Sequence, residues 1–101
     1  MKYRTFWMPQ VEAFITSLAP QPRRALRQAI KQLSNARTAG LDLRALEGVL
    51  QGYMRLRVQT YRIIYRVDAA ANGPVLTLVA AGPRSTIYEA FEQILAEKFN
   101  A

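Results

Sequence analysis

The spacing of apolar residues changes period along the chain, and each change marks an element. Residues Lys2 to Met8 alternate loosely, with Tyr3, Phe6 and Trp7 as apolar members, and predict a first strand. Pro9 stands where a helix start tolerates a missing N–H. Val11, Phe14, Ile15 and Leu18 then fall on one stripe of a helix, and Leu26, Ala29, Ile30 and Leu33 on another. Pro20 and Pro22 separate the two stripes, so the pair reads as a helical hairpin joined by a Pro-rich turn. The second helix carries Arg23, Arg24, Arg27 and Lys31 on its other face. Residues Asn35 to Leu43, with Gly40 and Asp42, read as a loop.

From Met54 the period becomes two. Met54, Leu56 and Val58 alternate with Arg55 and Arg57, while Tyr61, Ile63, Tyr65 and Val67 alternate with Arg62, Ile64 and Arg66. If Gln59-Thr60 closes a two-residue hairpin, Val58 meets Tyr61, Leu56 meets Ile63 and Met54 meets Tyr65, all apolar and all on one face. The other face pairs Arg57 with Arg62, Arg55 with Ile64 and Tyr53 with Arg66. A one-residue slip would destroy this sorting, which fixes the register. Gln-Thr is weak turn chemistry, so a bulge or longer loop is the alternative closure. Asp68 to Pro74 forms the next turn, around Asn72-Gly73. Val75 to Ala81 is apolar on both faces, as a central strand is. Ser85 and Thr86 offer N-caps to a last helix, with Glu89 completing a capping box and Ile87, Phe91 and Ile94 as its stripe. The predicted order, β-α-α-β-β-β-α, describes one α+β domain over residues 1–101 with an antiparallel sheet of about four strands.

Composition narrows the chemistry. The chain has 101 residues, half of them hydrophobic, with no cysteine and no histidine. Disulfides, thiolate sites and cysteine nucleophiles are excluded, as is the usual neutral-pH base. A zinc site would need carboxylates alone, against that metal's preference for nitrogen and sulfur ligands. Neither a metal nor another cofactor is expected. No apolar run reaches the length of a membrane span, and MKYRTFWMPQ has no signal-peptide pattern, so a cytoplasmic protein is expected. The net charge is +7, and eleven of the fourteen basic residues are arginine, the side chain suited to planar phosphate recognition. The charged hairpin face holds Arg55, Arg57, Arg62 and Arg66 with no acid nearer than Asp68. Like charges placed opposite one another are destabilising, so this face points to an external anion. The plainer reading is a solvated strand face whose arginine stems cover apolar surface.

The segment Leu46-Glu47-Gly48, the strand Tyr53-Met54-Arg55-Leu56-Arg57-Val58 and the strand Tyr61-Arg62-Ile63-Ile64-Tyr65-Arg66-Val67 resemble the signature of the RelE/ParE toxin superfamily. Gly82-Pro83-Arg84-Ser85-Thr86-Ile87-Tyr88 resembles its closing element. The resemblance covers nearly the whole chain. It implies a RelE-like fold and a toxin encoded beside an antitoxin. RelE-like members cut messenger RNA in the ribosomal A site, whereas ParE-like members poison DNA gyrase without cleaving RNA. The RNase branch uses basic residues on the second and third strands, an arginine after the last strand and a C-terminal tyrosine. Those roles fall here on Arg55 and Arg57, Arg62, Arg84 and Tyr88, which favours a ribosome-dependent mRNA endonuclease.

On this resemblance Arg62, Arg84 and Tyr88 are the expected catalytic residues, and Arg55, Arg57 and Arg66 the expected RNA-binding ones. The ribose 2′-OH attacks the adjacent phosphate, and guanidiniums stabilise the charge that develops. Family members carry lysines where Arg55 and Arg57 stand; arginine does not exchange protons near neutrality, so binding carries over more directly than acid–base work. The plainer readings are that Tyr88 packs its ring on the sheet and that Arg84 is a surface residue. The alternatives in function are a gyrase inhibitor of the ParE type and an inactive RNA-binding homologue. The implied partners are an antitoxin with an acidic or amphipathic segment and mRNA on the ribosome.

Overall fold

The computed structural model describes residues 2–100, apart from the side chains of Ile94 and of residues 96–100. Its elements are β1 (Arg4–Trp7), α1 (Pro9–Thr16), α2 (Pro20–Ser34), β2 (Asp42–Ala45), β3 (Met54–Val58), β4 (Tyr61–Asp68), β5 (Val75–Pro83) and α3 (Ile87–Asn100), with a single 3-10 turn at Gly48–Leu50. The strands form one five-stranded sheet in the order β1-β5-β4-β3-β2.

Two features differ from the sequence expectation. Asp42–Ala45 is a fifth strand, antiparallel to β3, in a stretch whose Gly40 and Asp42 suggest only a loop. It turns a single apolar side chain, Leu43, toward the core and lies at the sheet edge, so it leaves almost no periodic signal. The sheet is also not wholly antiparallel. β1 runs parallel to β5, with Phe6 opposite Thr77 and Trp7 opposite Leu78. The crossover from β1 to β5 includes every other strand and both hairpin helices. The prolines do not break α2 but start it: Pro20 opens the first turn, where no intrahelical donor is lost.

The hairpin forms in the expected register, from Met54 opposite Tyr65 to Val58 opposite Tyr61. Gln59 provides the turn by adopting φ 57°, a left-handed backbone that glycine or asparagine takes more readily. β5 is central, between β1 and β4.

Sorting by period two puts one core on each face of the sheet. On one face Leu56, Ile63, Tyr65, Leu76 and Leu78 pack with Val11 and Ile15 of α1 and with Leu26, Ile30 and Leu33 of α2. On the other, Ile64 and Ala80 pack beneath Ile87 and Phe91 of α3, with Leu50 beside them. Ile94, expected in the same stripe, lies outside the described side chains. A bulge interrupts the β4–β5 pairing: Ile64 meets Ala80 but Tyr65 meets Leu78, leaving Val79 without a partner. Gly82, opposite Arg62, leaves room for α3 to land, since a Cβ there would stand 3.3 Å from Ile87 Cδ1.

Candidate functional site

The second face of the sheet is apolar only where α3 covers it. Beyond the start of α3 it becomes a cleft of about 310 Å³ lined by Asp42, Arg44, Arg55, Arg57, Arg62, Arg84 and Tyr88. Strand pairing explains the convergence. Arg44 stands opposite Arg55, Asp42 opposite Arg57, and Arg57 opposite Arg62, so β2, β3 and β4 each place charge on the same face. Arg84 follows β5, and its backbone N–H donates to Thr60 O at 3.1 Å, which ties this turn to the hairpin tip. Tyr88, half-buried, sits in the first turn of α3. Arg62, Arg84 and Tyr88, expected to carry the chemistry, thus line one cleft together with Arg55 and Arg57.

The charges in this cleft are unequally compensated. Arg55 is 9% exposed and donates to Asp42 Oδ1 at 2.8 Å, while its Nε has no partner. Arg57 is exposed and lies 3.9 Å from Asp42 Oδ2. Arg62 is 3% exposed and donates to the backbone carbonyl of Tyr61 at 3.0 Å. Among the described residues, no carboxylate lies within ion-pair distance of Arg44, Arg62 or Arg84. Burial pushes the Arg62 guanidinium below its ordinary range; Arg57, Arg55 and Arg84 push the same way, and Tyr88 opposes them. A cation buried among cations is costly unless an anion arrives.

Asp42 is the acid that the sequence reading did not anticipate. With β2 taken as loop, the hairpin face seemed free of carboxylates; pairing Asp42 with Arg57 brings one in. Arg44 was missed for the same reason. The polar–apolar–polar run Asp42-Leu43-Arg44 was the available signal, too short to stand out from a loop.

Arg66 does not join the cleft. It shares the face with Arg62, but Ile64 and its cover of α3 intervene, and the bulge at Val79 lies beyond them. Its Nε donates to Asp68 Oδ2 at 2.8 Å, and its guanidinium stands 5.8 Å from the ring centre of Tyr53. The RNA-binding role expected of Arg66 therefore has no support from its position.

The cleft is equipped to hold an anion with more than one oxygen to satisfy. Guanidiniums offer paired donors in a fixed plane, and the half-buried phenol adds a hydroxyl and a stacking surface. Among the described residues no group of three or more acidic residues could hold a metal ion. No described helix is long and apolar enough to cross a membrane. Tyr61 and Tyr65 serve packing: Tyr65 is buried, and Tyr61 meets Phe14 edge-on at 5.9 Å.

Similarity to known proteins follows the same outline. No curated protein sequence matches the chain. Several solved structures share its fold. The RelBE2 toxin–antitoxin complex of Mycobacterium tuberculosis matches with TM-score 0.66 and 20% identity, covering 83% of this chain and 100% of the other. The archaeal RelE–RelB complex of Pyrococcus horikoshii matches with TM-score 0.64 and 26% identity, over 83% and 97%. The YoeB/ParE toxin of Agrobacterium tumefaciens matches with TM-score 0.57 and 17% identity, over 75% and 92%. The family model for the ParE toxin of the type II toxin–antitoxin system parDE matches residues 6–88, from the first strand to the tyrosine of the cleft. The chain belongs to this family and is a type II toxin of the RelE/ParE superfamily.

Proposed function

We propose that this toxin is an endoribonuclease that cuts messenger RNA on the ribosome and so stops translation. The observation carrying the reading is the convergence of Arg57, Arg62, Arg84 and Tyr88 in one cleft with five guanidiniums and a single carboxylate. In the reaction, the ribose 2′-oxygen bonds to the adjacent phosphorus and the bond to the 5′-oxygen breaks. The departing 5′-oxygen takes up a proton, so the products are a 2′,3′-cyclic phosphate and a 5′-hydroxyl. Arg62 and Arg84 hold the non-bridging oxygens, where charge grows at the transition state. Tyr88 stacks on a base or receives the 2′-OH proton. Arg55 and Arg57 bind the flanking backbone. The ribosome contributes by fixing the message in line for attack.

The working setting is the cytoplasm, and the partner is a cognate antitoxin. The M. tuberculosis neighbour is a toxin–antitoxin complex, and the P. horikoshii neighbour is a RelE–RelB complex. An antitoxin segment with acidic side chains on an amphipathic backbone suits a protein of net charge +7.

One observation favours a second reading, inhibition of DNA gyrase without cleavage: the matched family model is described as the ParE toxin of parDE. Expression in growing cells, with primer extension on several messages, separates the two. Cuts inside translated codons, abolished by Arg62→Ala and by Arg84→Ala, support the nuclease. DNA breaks with intact messages support the gyrase inhibitor and overturn the nuclease. Salt-dependent RNA binding without either lesion marks an inactive homologue.

A further inference from the structure

We propose that Asp42 is a built-in counter-ion of the arginine cleft, occupying in the free protein the place that an RNA phosphate takes in the complex. The proposal rests on the cleft being a phosphate site, as argued above, and adds how that site is kept stable and regulated while empty. Asp42 reaches Arg55 at 2.8 Å and Arg57 at 3.9 Å through its two different oxygens, so it bridges the guanidiniums as a bidentate anion does. It comes from the edge strand β2, and its side chain is 52% exposed, so water can take over its solvation when it gives way. The arginine beneath it stays in place: Arg55 is 9% exposed, and its Nε has no acceptor. One donor of this buried fork is thus held by Asp42, while the buried Nε has no acceptor.

The strand pairing shows why a counter-ion belongs here. Arg44 faces Arg55, and Arg57 faces Arg62, which are two like-charge pairs on adjacent strands. Asp42 opposite Arg57 is the one opposite-charge pair in the group. An incoming phosphate relieves the same repulsion, so carboxylate and phosphate compete for the same field. Asp42 is therefore a positioning residue with two opposed effects: it stabilises the empty fold and weakens the hold on RNA.

The test compares wild type with Asp42→Asn, whose amide oxygen still accepts from Arg55 but carries no charge. The probes are a short 2′-O-methyl single-stranded RNA, which cannot be cleaved, and inorganic phosphate. The variant should bind the RNA about three- to tenfold more tightly, the scale of one partly exposed charge. Without ligand its melting temperature should fall by roughly 2–6 °C. A purely structural residue would lower stability and binding together. Asp42→Ser, also uncharged, should move both quantities in the same directions. In wild type, the Asp42 carboxylate carbon resonance should shift on RNA binding, a reading that needs no variant. Equal or weaker RNA binding by both variants, or an Asp42 resonance unmoved by bound RNA, overturns the counter-ion proposal alone. If wild type binds neither RNA nor phosphate, the phosphate site itself is overturned.

Discussion

Arg57 and Arg62 stand directly opposite each other across the β3–β4 hairpin, one exposed and the other only 3% exposed. Their juxtaposition makes Arg62 a charge that the empty fold holds at a cost. Replacing it with leucine, which fills similar space without charge, should leave stability unchanged or raise it by about 1 kcal/mol. Toxicity in growing cells should be lost in the same variant. A stability loss above about 2 kcal/mol in urea titration would show instead that Arg62 is a supporting strut.

Polyvalent anions should stabilise the protein through this cleft. At a phosphate concentration about a hundred times the dissociation constant, the gain is roughly 2.7 kcal/mol. Melting in phosphate and in chloride at matched ionic strength measures it. Arg84→Ala should abolish most of the difference, while Arg66→Ala, outside the cleft and paired with Asp68, should leave it intact. Equal loss in both variants would point to general screening rather than a site.

Phe91 is fully buried and meets Tyr53 edge-on at 4.9 Å. It is the main apolar anchor of α3, three residues after Tyr88. Phe91→Ala should cost about 3–5 kcal/mol. Hydrogen exchange should quicken in α3 before it does in the β3–β4 hairpin, and toxicity should fall because Tyr88 loses its support. Exchange that quickens equally everywhere would argue against a separately docked α3.

Stability should decline at alkaline pH partly through Tyr65. Burial, and secondarily Tyr3, raises the phenol above its ordinary value of 10.0. A group raised in the fold contributes fully below the unfolded value, and its contribution is lost as pH rises through the folded one. Tyr65→Phe should therefore match wild type near neutrality and resist alkali better above about pH 10. At the acid end Glu12, held below 4.5 by its hydrogen bond to Arg27, does the reverse. Its contribution is present above that value and vanishes as pH falls through the lower folded one; its exposure keeps the effect small.

The hairpin was legible in the sequence because every apolar residue of Met54–Val58 and Tyr61–Val67 except Ile64 belongs to one face, so only one register sorts them. The helical stripes were legible for a similar reason. β2 was not, because a four-residue edge strand with Leu43 as its single inward apolar residue resembles the loop around Gly40. Missing β2 hid both Asp42 and Arg44, and made the arginine face look free of acids. Arg66 was grouped with Arg62 because alternation alone assigns them the same face. What separates them is the landing site of α3 on Ile64, a tertiary fact that period two does not contain.

The parallel pairing of β1 with β5 has a consequence in time. The N-terminal strand must wait for residues some seventy positions later before it gains a neighbour, and contacts this distant in sequence form slowly. Arg84 and Tyr88 emerge later still. A chain still being synthesised therefore presents its hairpin arginines before the far wall of the cleft exists.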